Sequence, residues 1–135
     1  MTDPTRSPAP DGIVSKLSPR PVADTVSRLT SLISAKGLRL FSVIDQAAEA
    51  RAVGQDLRAT VLVIFGSPPT GTPVMATAPL AALDLPLKVL IWDNAGQTTV
   101  SYYAPEATAA RYHLPADLKG NLAGIHALTD ALVVG

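Results

Sequence analysis

Any chemistry in this chain must rest on a glycine- and proline-rich loop, one lysine inside an apolar run, and a few carboxylates, imidazoles and phenols. The loop is Gly66-Ser67-Pro68-Pro69-Thr70-Gly71-Thr72-Pro73. With Thr72 as N-cap and Pro73 at the first helical position, it leads into a helix N-terminus, where unpaired N–H groups and the dipole attract an anion. It lacks the Gly-Lys-Ser/Thr ending of a nucleotide-binding loop, and Pro73 removes one donor. The plainer reading, a rigid strand-to-helix connector with an ordinary cap, is favoured. Lys88 lies in Leu87–Trp92, which is otherwise nearly all apolar. A buried ammonium must snorkel to water or meet an acid, and Asp45 and Asp93 are the expected partners. The functional alternative is an anion anchor or nucleophile. A paired structural lysine is favoured.

Asp45 and Glu49 stand four apart across a strand-to-helix junction, with Gln46 between them. They make a poor metal site, and Asp45 as helix cap is the preferred reading. His113 follows a helix end, and His126 is expected at the solvent edge of the last helix. Nothing brings the two imidazoles together. Ser67 has no base partner and no nucleophile-elbow motif. Tyr102 and Tyr103 must point to opposite faces of a strand, so one hydroxyl reaches the face away from the helices. Trp92 is expected in the core and Met75 as a gap-filler. The candidate ligand-contacting set is Asp45, Gln46, Gly66, Ser67, Gly71, Thr72, Lys88 and Tyr103, with no catalytic residue assigned, no metal and no cofactor.

The elements that must hold these groups are legible in order. Residues 1–11 read as a disordered tail and 12–135 as one domain. Ile13–Leu17 alternates weakly, as a short edge strand does. Val22, Val26, Leu29 and Ile33 form a helical stripe that Leu32 broadens, opened by Pro21 and closed by Gly37. Leu38–Ile44 is a strand with Leu40, Ser42 and Ile44 on one face and Phe41 and Val43 on the other. A short helix follows, ending at Gly54. Val61–Phe65 is apolar throughout, which predicts a strand covered on both faces, and Leu87–Trp92 repeats the pattern. A helix from Pro73 is cut short by Pro79. Asp93-Asn94-Ala95-Gly96 suits a type I turn followed by a glycine at positive φ, closing a hairpin with Thr98–Tyr103. Pro105 opens a helix that closes near His113, and Leu118, Leu122, Ile125, Leu128 and Leu132 make a final helical stripe. Gly120 and Gly124 within it are expected to let the backbone approach the sheet.

Eleven basic and eleven acidic side chains balance to zero. That speaks against nucleic acid, whose affinity comes largely from a basic face. Basic amphipathic helices and long apolar runs are absent from the sequence, so no membrane contact is expected and the cytoplasm is the default compartment. Without cysteine there is neither a disulfide framework nor a thiolate site.

FSVIDQAAEA at 41–50, DLRATVLVIFGSPPTGTPVMATAPLAALDLPLKVLIW at 56–92 and SYYAPEATAARYHL at 101–114 together resemble domain-of-unknown-function family 302. The IFG-x-P-x-x-GTP-x-M and LPLK-x-L-x-W blocks stand in the family's order and spacing, and the resemblance spans residues 13–134. It implies an α+β fold, an antiparallel sheet with helices on one face in the order β-α-β-(short α)-β-α-β-β-α-α, similar to the TATA-binding-protein architecture and often a homodimer. It implies no activity. Where members usually carry Asp-His, this chain has Asp45-Gln46, so chemistry needing an imidazole there is lost.

Two functional readings follow. The first is a homodimeric, non-catalytic module that binds a small molecule or is structural, because the apolar surface of the two strands exceeds what the chain's own helices are expected to cover. The second is a hydrolase or isomerase for a small anionic substrate, with a pocket built from Asp45, Gln46, Lys88, Tyr103 and the Thr72 helix end. DNA binding, by analogy with the architecture, is a third and weaker reading.

Overall fold

The structure, a computed structural model, describes residues 11–135. The expected disordered tail therefore lies outside the described residues except for Asp11, which sits in a turn and accepts the Ile13 N–H at 3.2 Å. The chain runs β1 (Ile13–Leu17), α1 (Val22–Ala35), β2 (Arg39–Asp45), α2 (Gln46–Ala52), β3 (Thr60–Gly66), α3 (Pro68–Thr77) and a 3-10 turn at Pro79–Leu83. It continues through β4 (Leu87–Asn94), β5 (Gln97–Tyr103), α4 (Pro105–Arg111), α5 (Ala116–Lys119), a second 3-10 turn at Gly120–Leu122, and α6 (Gly124–Val133). The five strands form one antiparallel sheet in the order β1-β5-β4-β3-β2. This is the α+β architecture expected, with β1 and β2 as the two edges.

One face of the sheet is covered. Val14, Val61, Val63, Phe65, Val89, Ile91, Val100 and Tyr102 alternate inward and pack with Leu29 and Ile33 of α1 and Ile125, Leu128 and Leu132 of α6. Helix α1 forms where the stripe predicts it and stops at Gly37, whose φ is +70°. Thr25 is buried on it as well, its hydroxyl satisfied by Ser18 Oγ at 2.8 Å and the Pro21 carbonyl at 2.9 Å. A smaller apolar cluster of Val74, Ala81, Ala109, Leu114 and Leu122 ties α3 to the segments after β5.

Among the described residues, no helix covers the other face. Leu62, Ile64, Leu90 and Trp92 are half-buried, and none of them belongs to either apolar cluster. The continuous apolar runs at 61–65 and 87–92 thus split by parity, the odd positions in the core and the even ones on a bare face. Trp92, expected in the core, lies on that bare face opposite Thr99 and donates its indole N–H to Ser101 Oγ at 3.1 Å.

Four local expectations are corrected. In β2 a bulge at Phe41 puts Leu40 opposite Phe65 and Ser42 opposite Ile64, so Leu40 changes to the face of Val43. The hairpin turn is a two-residue loop with both Ala95 and Gly96 at positive φ, +52° and +92°, the twist that matches paired strands. The C-terminal stripe is not one helix but α5, a 3-10 turn and α6. Gly120 and Gly124 sit at the break, and a Cβ added at either would meet nothing within 4 Å, so they serve no close approach.

Helix α6 has no basic residue in its last turn. Its C-terminal carbonyls are met from elsewhere: Arg20 donates to Leu132 O at 3.1 Å and Val134 O at 2.7 Å, and Arg28 to Ala131 O at 3.1 Å. These guanidinium groups satisfy orphan carbonyls and complement the helix dipole.

Candidate functional site

Gly66, Ser67, Gly71 and Thr72 do come together, around a cavity of about 280 Å³ that Phe41, Met75, Leu85 and Leu122 also line. Its helix, however, begins earlier than expected. Ser67 is the N-cap residue, Pro68 and Pro69 occupy the first two helical positions, and Thr72 and Pro73 lie inside α3. Prolines carry no N–H, and the N–H groups of Thr70 and Gly71 both donate to Ser67 O, at 3.0 and 2.8 Å. The donors that would grip an anion at a helix start are therefore missing or occupied. Among the described residues no charged side chain lines the cavity, and an anion would lose its hydration there without a counter-charge. An anion site at this helix end, the less favoured of the two sequence readings, is not formed; the walls suit a small, uncharged, largely apolar molecule.

Asp45 caps α2, its Oδ1 accepting the Ala48 N–H at 2.9 Å, as the sequence suggested, and Gln46 is the first residue of that helix. Asp45 shares a register position with Val61 on the helix-covered face, whereas Lys88 pairs with Ile64 on the bare face. The sheet separates the two. A single pocket built from Asp45, Lys88 and the Thr72 helix end does not exist in this fold.

Lys88 instead neighbours Tyr103 at the far end of the bare face. Neither Asp45 nor Asp93 pairs with it; its ammonium approaches Pro86 O at 3.5 Å and makes no ion pair among the described residues. The nearby acid is Asp84, which commits its Oδ2 to the Tyr112 hydroxyl at 2.6 Å and to Arg111 at 2.9 Å. The Tyr112 hydrogen bond is the main reason the Asp84 carboxyl titrates below its ordinary 3.8. Burial opposes it, and Arg111 and then Lys88 assist.

That depressed value makes a pH prediction. A carboxyl that binds its proton less tightly when folded stabilises the fold above its unfolded value and loses that contribution as pH falls through the folded one. The melting temperature of Asp84→Asn should lie below that of the wild type near neutral pH, with the gap closing below about pH 4. Thermal denaturation followed by circular dichroism across this range checks it; a gap independent of pH would show that Asp84 acts through packing alone.

A buried polar network was missed by the sequence reading. Lys16 of β1 is 3% exposed. Its ammonium donates to Thr129 Oγ1 at 2.6 Å and His126 O at 3.1 Å, pairs with Asp130 at 2.9 Å, and lies 5.1 Å from the centre of the Tyr102 ring. The Tyr102 hydroxyl is 2.7 Å from His126 Nδ1, and His126 Nε2 is 3.0 Å from Glu106. His126 is thus fixed between a phenol and a carboxylate instead of lying free at the helix edge. The parity of β1 carried a signal, since Lys16 falls on the same face as Val14. Its partners on α6 are more than a hundred residues away and leave no local trace.

Comparison with known proteins adds the following. The family described as "Domain of unknown function DUF302" matches residues 14–132. The crystal structure of an uncharacterized conserved protein of that family from Bacillus stearothermophilus superposes with a TM-score of 0.76, covering 90% of this chain and 95% of that one at 17% identity. At that identity the likeness speaks for the fold. Curated relatives include "Fluoride-specific ion channel FluC 1" of Brucella suis and of Brucella abortus, each 34% identical over 104 residues, or 76% of this chain. The matched segment spans 41% and 38% of those two proteins.

Proposed function

The chain belongs to the family of domain of unknown function DUF302, and from that premise we propose that it is a cytoplasmic, non-catalytic module, one domain over residues 12–135, that pairs with a second copy through its bare sheet face and holds a small molecule. The supporting observation is that face: Leu62 and Ile64 of β3 and Leu90 and Trp92 of β4 form a contiguous apolar surface in the middle of the sheet. Completing the burial of each such side chain yields a part of the roughly 1.5–3 kcal/mol that full burial of a large apolar group is worth. An isologous contact, in which the same patch meets itself, covers both copies at once. A modular role also fits a segment shared with longer proteins. The channel activity named in those relatives is not carried over: they extend well beyond the shared part, and among the described residues no helix is long and apolar enough to cross a membrane.

The test is sedimentation velocity at micromolar concentration. The wild type should run as a dimer and Leu90→Glu as a folded monomer, because two facing carboxylates in a desolvated contact cost several kcal/mol. A wild type that stays monomeric at that concentration removes the reading.

A further inference from the structure

The Lys88 end of the bare face is built differently from its middle. Leu62, Leu90 and Ile13 line a pocket of about 220 Å³ together with Lys88 and Tyr103. Ser101 also borders it, but its hydroxyl is already engaged by Ser15 Oγ at 2.8 Å and by the Trp92 indole at 3.1 Å, so the wall offers little polar competition. Around Lys88 the charges do not balance. Lys88 and Arg111 face one carboxylate, that of Asp84, and both contacts of that carboxylate go to Arg111 and Tyr112. The Arg111 guanidinium lies 5.9 Å from the centre of the Tyr103 ring, and Tyr103 lines the same pocket as Lys88. Tyr103 is 51% exposed, and its hydroxyl makes no hydrogen bond among the described residues.

We propose that this pocket binds a small carboxylic acid with an apolar body, its carboxylate on the Lys88 ammonium and the Tyr103 hydroxyl, its hydrocarbon against Leu62, Leu90 and Ile13. An ammonium without an ion pair at the edge of an apolar pocket selects an amphiphile: a fully polar anion gains nothing from the walls, and an uncharged hydrocarbon nothing from the head. The size of the pocket suits a body of about six to eight carbons. This assignment deepens, and rests on, the small-molecule part of the proposed function; a second copy laid on the sheet would close the open side, but the contacts named here lie within one copy.

Calorimetric titration of the full chain with hexanoate and with 1-hexanol tests it, alongside sedimentation of the same samples. Hexanoate should bind about tenfold tighter than hexanol, the worth of one charge-assisted hydrogen bond. Lys88→Gln should remove that preference at unchanged melting temperature, and Lys88→Arg should keep most of it. A preference that survives Lys88→Gln, or a dimer that gives no response to hexanoate, overturns the ligand assignment while leaving self-association standing. Selective hexanoate binding by a chain that sediments as a monomer supports the ligand assignment and overturns the pairing.

Discussion

Phe65→Ala lowers the unfolding free energy by about 3–5 kcal/mol, the range for truncating a fully buried aromatic ring. Ile64→Ala, one residue earlier in the same apolar run, costs about 1–2 kcal/mol, roughly half a full burial. The contrast follows from the pleat. Phe65 is 1% exposed and packs into the main core beside α1, while Ile64 turns to the face that no helix covers. Read as a string, VLVIF gives no reason to treat the two differently. Urea denaturation of both variants, at a concentration low enough to keep the chain from associating, separates them. Equal losses would mean that the even-numbered side chains of β3 are as well packed as the odd ones, and the bare face would vanish as a premise.

The second large effect is expected at Lys16. Lys16→Ala should cost about 2–3 kcal/mol, somewhat less than the loss usual on breaking a buried ion pair. The reduction has a structural reason. Asp130 is 36% exposed at its side chain and regains water when its partner goes, and the Thr129 hydroxyl keeps its bond to Ile125 O at 2.7 Å. The His126 carbonyl likewise keeps the Thr129 hydroxyl at 3.2 Å, so what is lost outright is the ion pair, the contact with the Tyr102 ring, and the volume of the lysine stem. Lys16→Met refills that volume without the charge and should recover about half the loss. Were alanine and methionine to cost the same, the electrostatic contacts would carry the whole effect and the stem none.

What the sequence made legible is what local patterning controls. The α1 stripe with Pro21 and Gly37 at its ends, the strands, the hairpin and the opposite orientation of Tyr102 and Tyr103 all follow from period and punctuation. The helix after β3 failed because two start signals lie five residues apart. Ser67-Pro68 and Thr72-Pro73 look alike, and the first prevails because Ser67 leaves the strand in an extended conformation and the two prolines already hold helical φ. The bulge at Phe41 had no signal, since Leu40, Phe41 and Ser42 alternate as any strand does. In the candidate site, grouping Asp45 with Lys88 failed because their separation depends on strand register. Gly66, Ser67, Gly71 and Thr72 line one cavity because they are neighbours along the chain.

The two outermost strands share a property that decides how copies of this molecule can meet. On β1 an ammonium points inward at Lys16, and on β2 an extra residue kinks the backbone at Phe41. Either device spoils the straight ladder of free amides and carbonyls that a stray strand would need for lateral docking. Sideways accretion into an ever-widening ribbon is thereby blocked at both margins, while the flat of the sheet stays open. Any pairing of the kind proposed would then be by stacking, which a two-fold axis terminates after one partner, and not by open-ended fibre growth.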